Sequence, residues 1–128
     1  MSWYIDSSAL VALILNQPRA IPLSKILEGN PITSRLTRVE VLRSIRKVDT
    51  ALIPRAELLL SQLLYSPMAE SVLFRAENYP AEITAKSADA IHLATAETLS
   101  TMIEGVITLD KQMAKNADRL GLKVLTDS

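Results

Sequence analysis

Trp3-Tyr4-Ile5-Asp6-Ser7-Ser8-Ala9-Leu10-Val11-Ala12-Leu13 is the stretch whose reading decides the fold. Three apolar residues run into a single acid, and two hydroxyl residues lead into a run of helix formers. A short buried strand over residues 2–6, turning at once into a helix over about residues 8–15, satisfies that order. Asp6 or Ser7 is its N-cap. Open α/β sheets place their chemistry at the carboxyl ends of strands, so Asp6 is the first candidate functional residue.

Outward from Asp6 the alternation repeats. Asn16-Gln17-Pro18 ends the first helix, and a short helix over about residues 20–27 is closed by Gly29. Pro31-Ile32-Thr33-Ser34 reads as a second strand, followed by a helix over residues 35–48. Val41, Leu42, Ile45 and Val48 fall on one face of that helix. Arg35, Arg43, Arg46 and Lys47 fall opposite, with Glu40 at their border. Such a face is an ordinary solvated surface when taken alone; beside an acidic centre it is a phosphate-contacting rim. Pro54 suits the first turn of a helix over about residues 54–64, rich in leucine. Ser71-Val72-Leu73-Phe74 reads as the third strand, and residues 75–83 as a helix interrupted near Pro80.

Ser87 is the expected N-cap of a helix reaching about Leu99, with Asp89 in its first turn, near the positive end of the dipole. Gly105-Val106-Ile107-Thr108-Leu109-Asp110 is a fourth strand ending in an acid. A helix over about residues 111–119 closes at Gly121, and Lys123-Val124-Leu125-Thr126 is the last strand. Every strand is short and almost continuously hydrophobic. That is the pattern of a parallel sheet covered on both faces.

The bulk properties narrow the function. A chain of 128 residues with 48% hydrophobic content supports one domain, residues 1–128, with a real core. Fourteen basic residues balance 14 acidic ones, so any nucleic-acid binding must come from local clustering. The absence of cysteine excludes disulfides and thiolate metal sites, and a single histidine argues against a histidine-rich zinc site. No apolar run approaches the ~20 residues of a membrane span, and Asp6 sits where a signal peptide would be basic. A soluble, cytoplasmic protein without membrane contact is expected.

Four acids then stand out: Asp6, Glu40, Asp89 and Asp110. Each has a bland alternative. Asp6 and Asp110 can cap the helices that follow them, Asp89 suits a helix start, and Thr37-Arg38-Val39-Glu40 has capping-box spacing. As a set they belong to the same edge of a doubly wound sheet. Four gathered carboxylates repel one another, and divalent cations relieve that repulsion. Oxygen-only ligands favour Mg²⁺ or Mn²⁺. Such a pocket suits metal-assisted phosphodiester hydrolysis.

Four blocks carry a family likeness: Tyr4-Ile5-Asp6-Ser7-Ser8-Ala9-Leu10, Thr33-Ser34-x-Leu36-Thr37-x-x-Glu40, Asp89-Ala90-Ile91-His92-Leu93-Ala94-Thr95-Ala96, and Thr108-Leu109-Asp110 followed by Lys111. In order and spacing, over nearly the whole chain, they resemble a PIN-domain ribonuclease of the VapC type, the toxin of a bacterial toxin–antitoxin pair. The resemblance implies a three-layer α/β/α sandwich with a short, mainly parallel sheet. It implies Asp6, Glu40, Asp89 and Asp110 as metal-binding and catalytic acids, with Asp6 and Asp89 holding the principal Mg²⁺ or Mn²⁺ ion, and Ser8 and Thr108 orienting ligands. It further implies an RNA substrate, a homodimer and an inhibitory antitoxin, for which the leucine-rich helix around residues 58–64 is a candidate contact.

Two alternatives accompany this reading. One is a catalytically weak PIN-like module acting mainly through complex formation with an antitoxin, against which the presence of all four acids argues. The other is a phospho-receiver, which would need an acceptor aspartate after the third strand, where Phe74-Arg75-Ala76-Glu77 stands. His92 falls on the same helical side as Asp89 and is read as packing or hydrogen-bonding beneath the site. Trp3 and Tyr4 are read as structural.

Overall fold

The computed structural model describes residues 1–126. Its elements are β1 (Ser2–Ile5), α1 (Ser7–Ile14), α2 (Leu23–Glu28), β2 (Ile32–Ser34), α3 (Arg35–Val48), α4 (Ile53–Leu60), β3 (Leu64–Ser66), α5 (Glu70–Glu77), α6 (Ser87–Thr98), β4 (Ile103–Ile107), α7 (Lys111–Arg119) and β5 (Lys123–Leu125). All five strands are parallel, in the order β3-β2-β1-β4-β5. The chain leaves β1 first to one side and later to the other, so the strand order reverses at β1. Open sheets of this kind bind ligands in the crevice at that point, beyond the carboxyl ends of the strands. Asp6 follows β1 directly.

Successive residues of β1 face opposite ways. Ile5 enters a core with Leu10, Ile14 and Ile26 and with Val41, Ile45, Leu59 and Leu60 of α3 and α4. Tyr4 enters a second core with Leu93 and Ala96 of α6, Val106 of β4, and Met113 and Ala117 of α7. The two cores make the three-layer α/β/α sandwich. Gly105 admits close packing at the sheet: a Cβ there would lie 2.4 Å from the Lys123 carbonyl oxygen and 2.8 Å from the Trp3 ring. No helix among the described residues is long and apolar enough to cross a membrane.

The helices over 35–48 and 111–119 fall where the pattern places them. Residues 71–74 do not form a strand; they lie within α5. Val72 is buried, Leu73 and Ala76 are half-buried, and Phe74 is exposed, a helical rather than alternating pattern. A four-residue apolar run does not distinguish the two periods. The third strand is Leu64–Ser66, at the edge of the sheet. The leucine run hid it, because α4 already ends at Leu60. The helix over 75–83 likewise ends at Glu77. Ser87 is the first residue of α6, with Lys86 in the cap position. The Thr37/Glu40 capping box does not form: Ser34 caps α3 by accepting from the Leu36 N–H at 3.1 Å.

Candidate active site

Asp6 is 3% exposed and caps α1. Its Oδ1 accepts from the Ser8 hydroxyl at 2.6 Å and its Oδ2 from the Thr108 hydroxyl at 2.5 Å. With both hydroxyl hydrogens committed to the carboxylate, the 3.2 Å approach of Ser8 Oγ to Thr108 Oγ1 is a contact, not a bond. The same two oxygens accept from the chain beyond β4: Ser8 Oγ from the Leu109 N–H at 2.9 Å, Thr108 Oγ1 from the Asp110 N–H at 3.0 Å. The two hydroxyls therefore tie Asp6 to the turn that carries Asp110. Burial pushes the Asp6 carboxyl above its ordinary pKa, and these hydrogen bonds hold it down.

Asp110 stands three residues beyond the end of β4 and caps α7, its Oδ1 accepting from the N–H groups of Gln112 at 2.8 Å and Met113 at 3.0 Å. Glu40 is half-buried on α3 and meets Nε2 of His92 at 2.5 Å. His92 is buried, and its Nδ1 lies 2.6 Å from the Tyr4 hydroxyl. A carboxylate can only accept, so Nε2 carries the hydrogen in this bond. Burial, with the Asp6 charge, raises the Tyr4 phenol and keeps it protonated. Asp89 is half-buried in the first turn of α6 and makes no hydrogen bond or ion pair among the described residues. Its pKa is raised by burial first, then by the charges of Asp110, Asp6 and Glu40, with His92 opposing. The four acids thus share one electrostatic environment.

A family model described as the PIN domain matches residues 3–119. The chain belongs to the PIN-domain family. Ribonuclease VapC35 of Mycobacterium tuberculosis (strain ATCC 25618 / H37Rv) is 33% identical over 128 residues, 95% of this chain and 94% of that protein. Ribonuclease VapC46 of the same strain is 31% identical over 134 residues, 98% of this chain and 97% of that one. A chain of a toxin–antitoxin complex from Klebsiella pneumoniae superposes with a TM-score of 0.74 at 25% identity, covering 98% of this chain and 97% of its own. PAE2754 from Pyrobaculum aerophilum superposes with a TM-score of 0.70 at 21% identity, covering 91% of this chain and 80% of its own, a likeness of fold. These relatives make the chain a PIN domain of the VapC type.

The donor set of this PIN domain suits a hard divalent cation. Its acids are all oxygen donors, cysteine is absent, and Asp89 is a half-buried carboxylate with no bonded partner among the described residues. Among the described residues, no three of His, Asp and Glu close on one point as the side chains stand. The acids are gathered at electrostatic rather than coordinating range, with Asp6 and Glu40 turned to Ser8, Thr108 and His92.

Further residues place the acids of the PIN domain. The Thr33 hydroxyl donates to the Ile5 carbonyl at 2.5 Å, which leaves Thr37 to donate to Thr33 at 2.6 Å. That fixes the first turn of α3 against β1, one turn before Glu40. Asn116, fully buried on α7, accepts from the Thr84 N–H at 3.1 Å and pins the segment preceding α6. Its Nδ2 is buried without a partner. Tyr4 acts through His92, not as wall material alone. Strand alternation told which face Tyr4 takes but not what it meets there.

Proposed function

We propose that this chain, acting as one PIN domain over residues 1–128, is a metal-dependent endoribonuclease and the toxin of a type II, VapBC-like toxin–antitoxin pair. It hydrolyses RNA phosphodiester bonds at Asp6, Glu40, Asp89 and Asp110 with Mg²⁺, for which Mn²⁺ substitutes. The observation that carries this reading is the Asp89 carboxyl of a PIN fold, without a bonded partner among the described residues and raised by burial and by the charges of Asp110, Asp6 and Glu40. The names of its relatives agree with it. A bound divalent ion would supply a hydroxide nucleophile near neutral pH and charge for the leaving oxygen. Asp6 and Asp89 would hold the principal ion, with Glu40 and Asp110 completing the acidic lining. Ser8 and Thr108 hold the Asp6 carboxylate in one rotamer, and His92 holds Glu40. The chain works in the cytoplasm as a homodimer and is restrained by a cognate antitoxin; its structural relative from Klebsiella pneumoniae belongs to a toxin–antitoxin complex.

The test is incubation of antitoxin-free protein with total bacterial RNA and Mg²⁺ or Mn²⁺, with EDTA and Asp89→Asn as controls, followed by mapping of the cut ends. Discrete cuts lost in both controls support the reading. A folded protein that binds neither ion and cuts no RNA would reject it in favour of a module that acts through complex formation alone.

A further inference from the structure

The turn between α1 and α2 carries Arg19, whose side chain reaches across to β4's far end. Its Nη2 donates to the Leu109 carbonyl at 3.0 Å, one residue before Asp110. The turn beneath it is set by backbone bonds, from the Gln17 N–H to the Ala12 carbonyl at 2.9 Å and from the Ala20 N–H to the Gln17 carbonyl at 3.0 Å. Arg19 borders a cavity of about 230 Å³ that it shares with Leu109, Asp110, Lys111, Ala114 and Thr126. Neither Arg19 nor Lys111 takes part in an ion pair among the described residues. Two exposed cations without an ion pair among the described residues therefore border one cavity that Asp110 also lines. Arg38, by contrast, is paired with Glu57 and can offer a ligand far less.

We propose that Arg19 and Lys111 form a phosphate-binding subsite that holds the backbone of the single-stranded RNA substrate one step away from the scissile bond. This rests on the ribonuclease reading above. A guanidinium has five N–H donors in a planar fork, and Leu109 uses one. The other donors make no hydrogen bond among the described residues, the side chain is tied to Leu109 beside Asp110, and a planar fork matches two phosphate oxygens. Lys111, exposed and lining the same cavity, adds a point charge. The Asp110 carboxylate also lines the cavity; its Oδ1 is bound into the first turn of α7, and the two cations outnumber its single charge. Contacts of this kind set the register of the strand and read no bases.

The experiment uses the full chain with Asp89→Asn to prevent cutting, a fluorescein-labelled single-stranded RNA of mixed sequence, and Mg²⁺. Anisotropy is read over a range of KCl concentrations for Arg19→Gln, Lys111→Gln and Arg19→Lys. The two glutamine variants should each weaken binding roughly three- to tenfold and lower the slope of log affinity against log salt by about 0.7, the value for one phosphate contact on a single strand. Arg19→Lys, which keeps the charge and loses the fork and tether, should retain the slope and lose part of the affinity. In the cutting-competent protein, Lys111→Gln should raise KM with little change in kcat. Unchanged slopes in both glutamine variants, while the parent binds RNA and the unsubstituted chain cuts it, would overturn the subsite and leave the nuclease standing. A parent that neither binds nor cuts RNA would bring down both. Normal RNA binding with weakened antitoxin binding would assign the cavity to a carboxylate of a partner protein and overturn the nucleic-acid assignment.

Discussion

Nε2 of His92 meets Oε1 of Glu40 at 2.5 Å, and this bond joins the two helical layers over the sheet. Glu40 belongs to α3, whose apolar face builds one core, and His92 belongs to α6, whose apolar face builds the other. Behind His92 the Tyr4 hydroxyl fixes the ring at 2.6 Å. The line Tyr4–His92–Glu40 therefore sets where one acid stands relative to the helix that carries another.

Replacing His92 with alanine should release Glu40 and lower kcat/KM about 10- to 100-fold, the usual effect of losing a group that orients a metal ligand. It also leaves the buried Tyr4 hydroxyl without its partner, at about 1–3 kcal/mol. Tyr4→Phe removes the hydroxyl alone and should lower stability by about 1 kcal/mol with a smaller loss of activity. Cleavage kinetics beside urea unfolding separate the two effects. Full activity in a folded His92→Ala protein would return His92 to plain packing.

Asp89→Asn should abolish cleavage and stabilise the metal-free fold at neutral pH. The Asp89 pKa is raised in the folded state, so its charged form opposes folding. That penalty is absent below the unfolded pKa, grows as pH rises toward the folded one, and is complete above it. The advantage of asparagine should therefore be full at pH 7 and vanish in acid. The group is half-exposed and screened, so about 1 kcal/mol or less is expected. Thermal unfolding in EDTA across pH measures it; a variant equally stable to the parent at every pH would contradict the shared field of the four acids.

Thr108→Val removes the donor to Asp6 Oδ2 and the acceptor of the Asp110 N–H in one step. Stability should fall by about 1–3 kcal/mol, and Mn²⁺ affinity by about 10- to 100-fold. Calorimetric titration with Mn²⁺ is the decisive reading, since a change in stability alone would follow from any damage to this junction.

Divalent metal should stabilise the fold by the ordinary mass-action rule, about 2.7 kcal/mol at a concentration 100 times the dissociation constant. The gain should disappear in Asp6→Asn. A thermal midpoint indifferent to Mg²⁺ and Mn²⁺ would count against these acids as ligands.

The leucine-rich helix offers one clear test of the antitoxin surface. Leu59 is 6% exposed and Leu63, just past the helix, is 6% exposed, so charging either one damages the core, whereas Leu58 is 66% exposed. Leu58 borders a cavity of about 250 Å³ with Leu13, Leu23 and Arg55. Leu58→Glu should leave the melting temperature within about 2 °C and weaken antitoxin binding at least about tenfold, as one central hot-spot contact does. Unchanged affinity would move the contact elsewhere.

Much of this architecture was legible from local chemistry. An apolar run ended by an acid and followed by helix formers specifies a strand, a turn and an N-cap within a few residues, so β1, Asp6 and α1 could be read without tertiary contacts. Periodicity and closing residues gave α3 and α7 their limits. Residues 64–74 resisted, because short apolar runs have no period of their own. Leu64–Ser66 became a strand only because β2 offers an edge to pair with, and Val72 became helical because α6 offers a face to pack on.

The sequence by itself determined the order of strands and helices and singled out four acids as candidates, since each of those follows from residues near one another in the chain. Only the tertiary structure decided their company. That Thr108 holds Asp6 across 102 residues, that His92 takes Glu40 rather than Asp89, and that Arg19 lands beside Asp110 are consequences of strand order. Hydrogen bonds between distant segments depend on which strands lie side by side, and no local pattern encodes that.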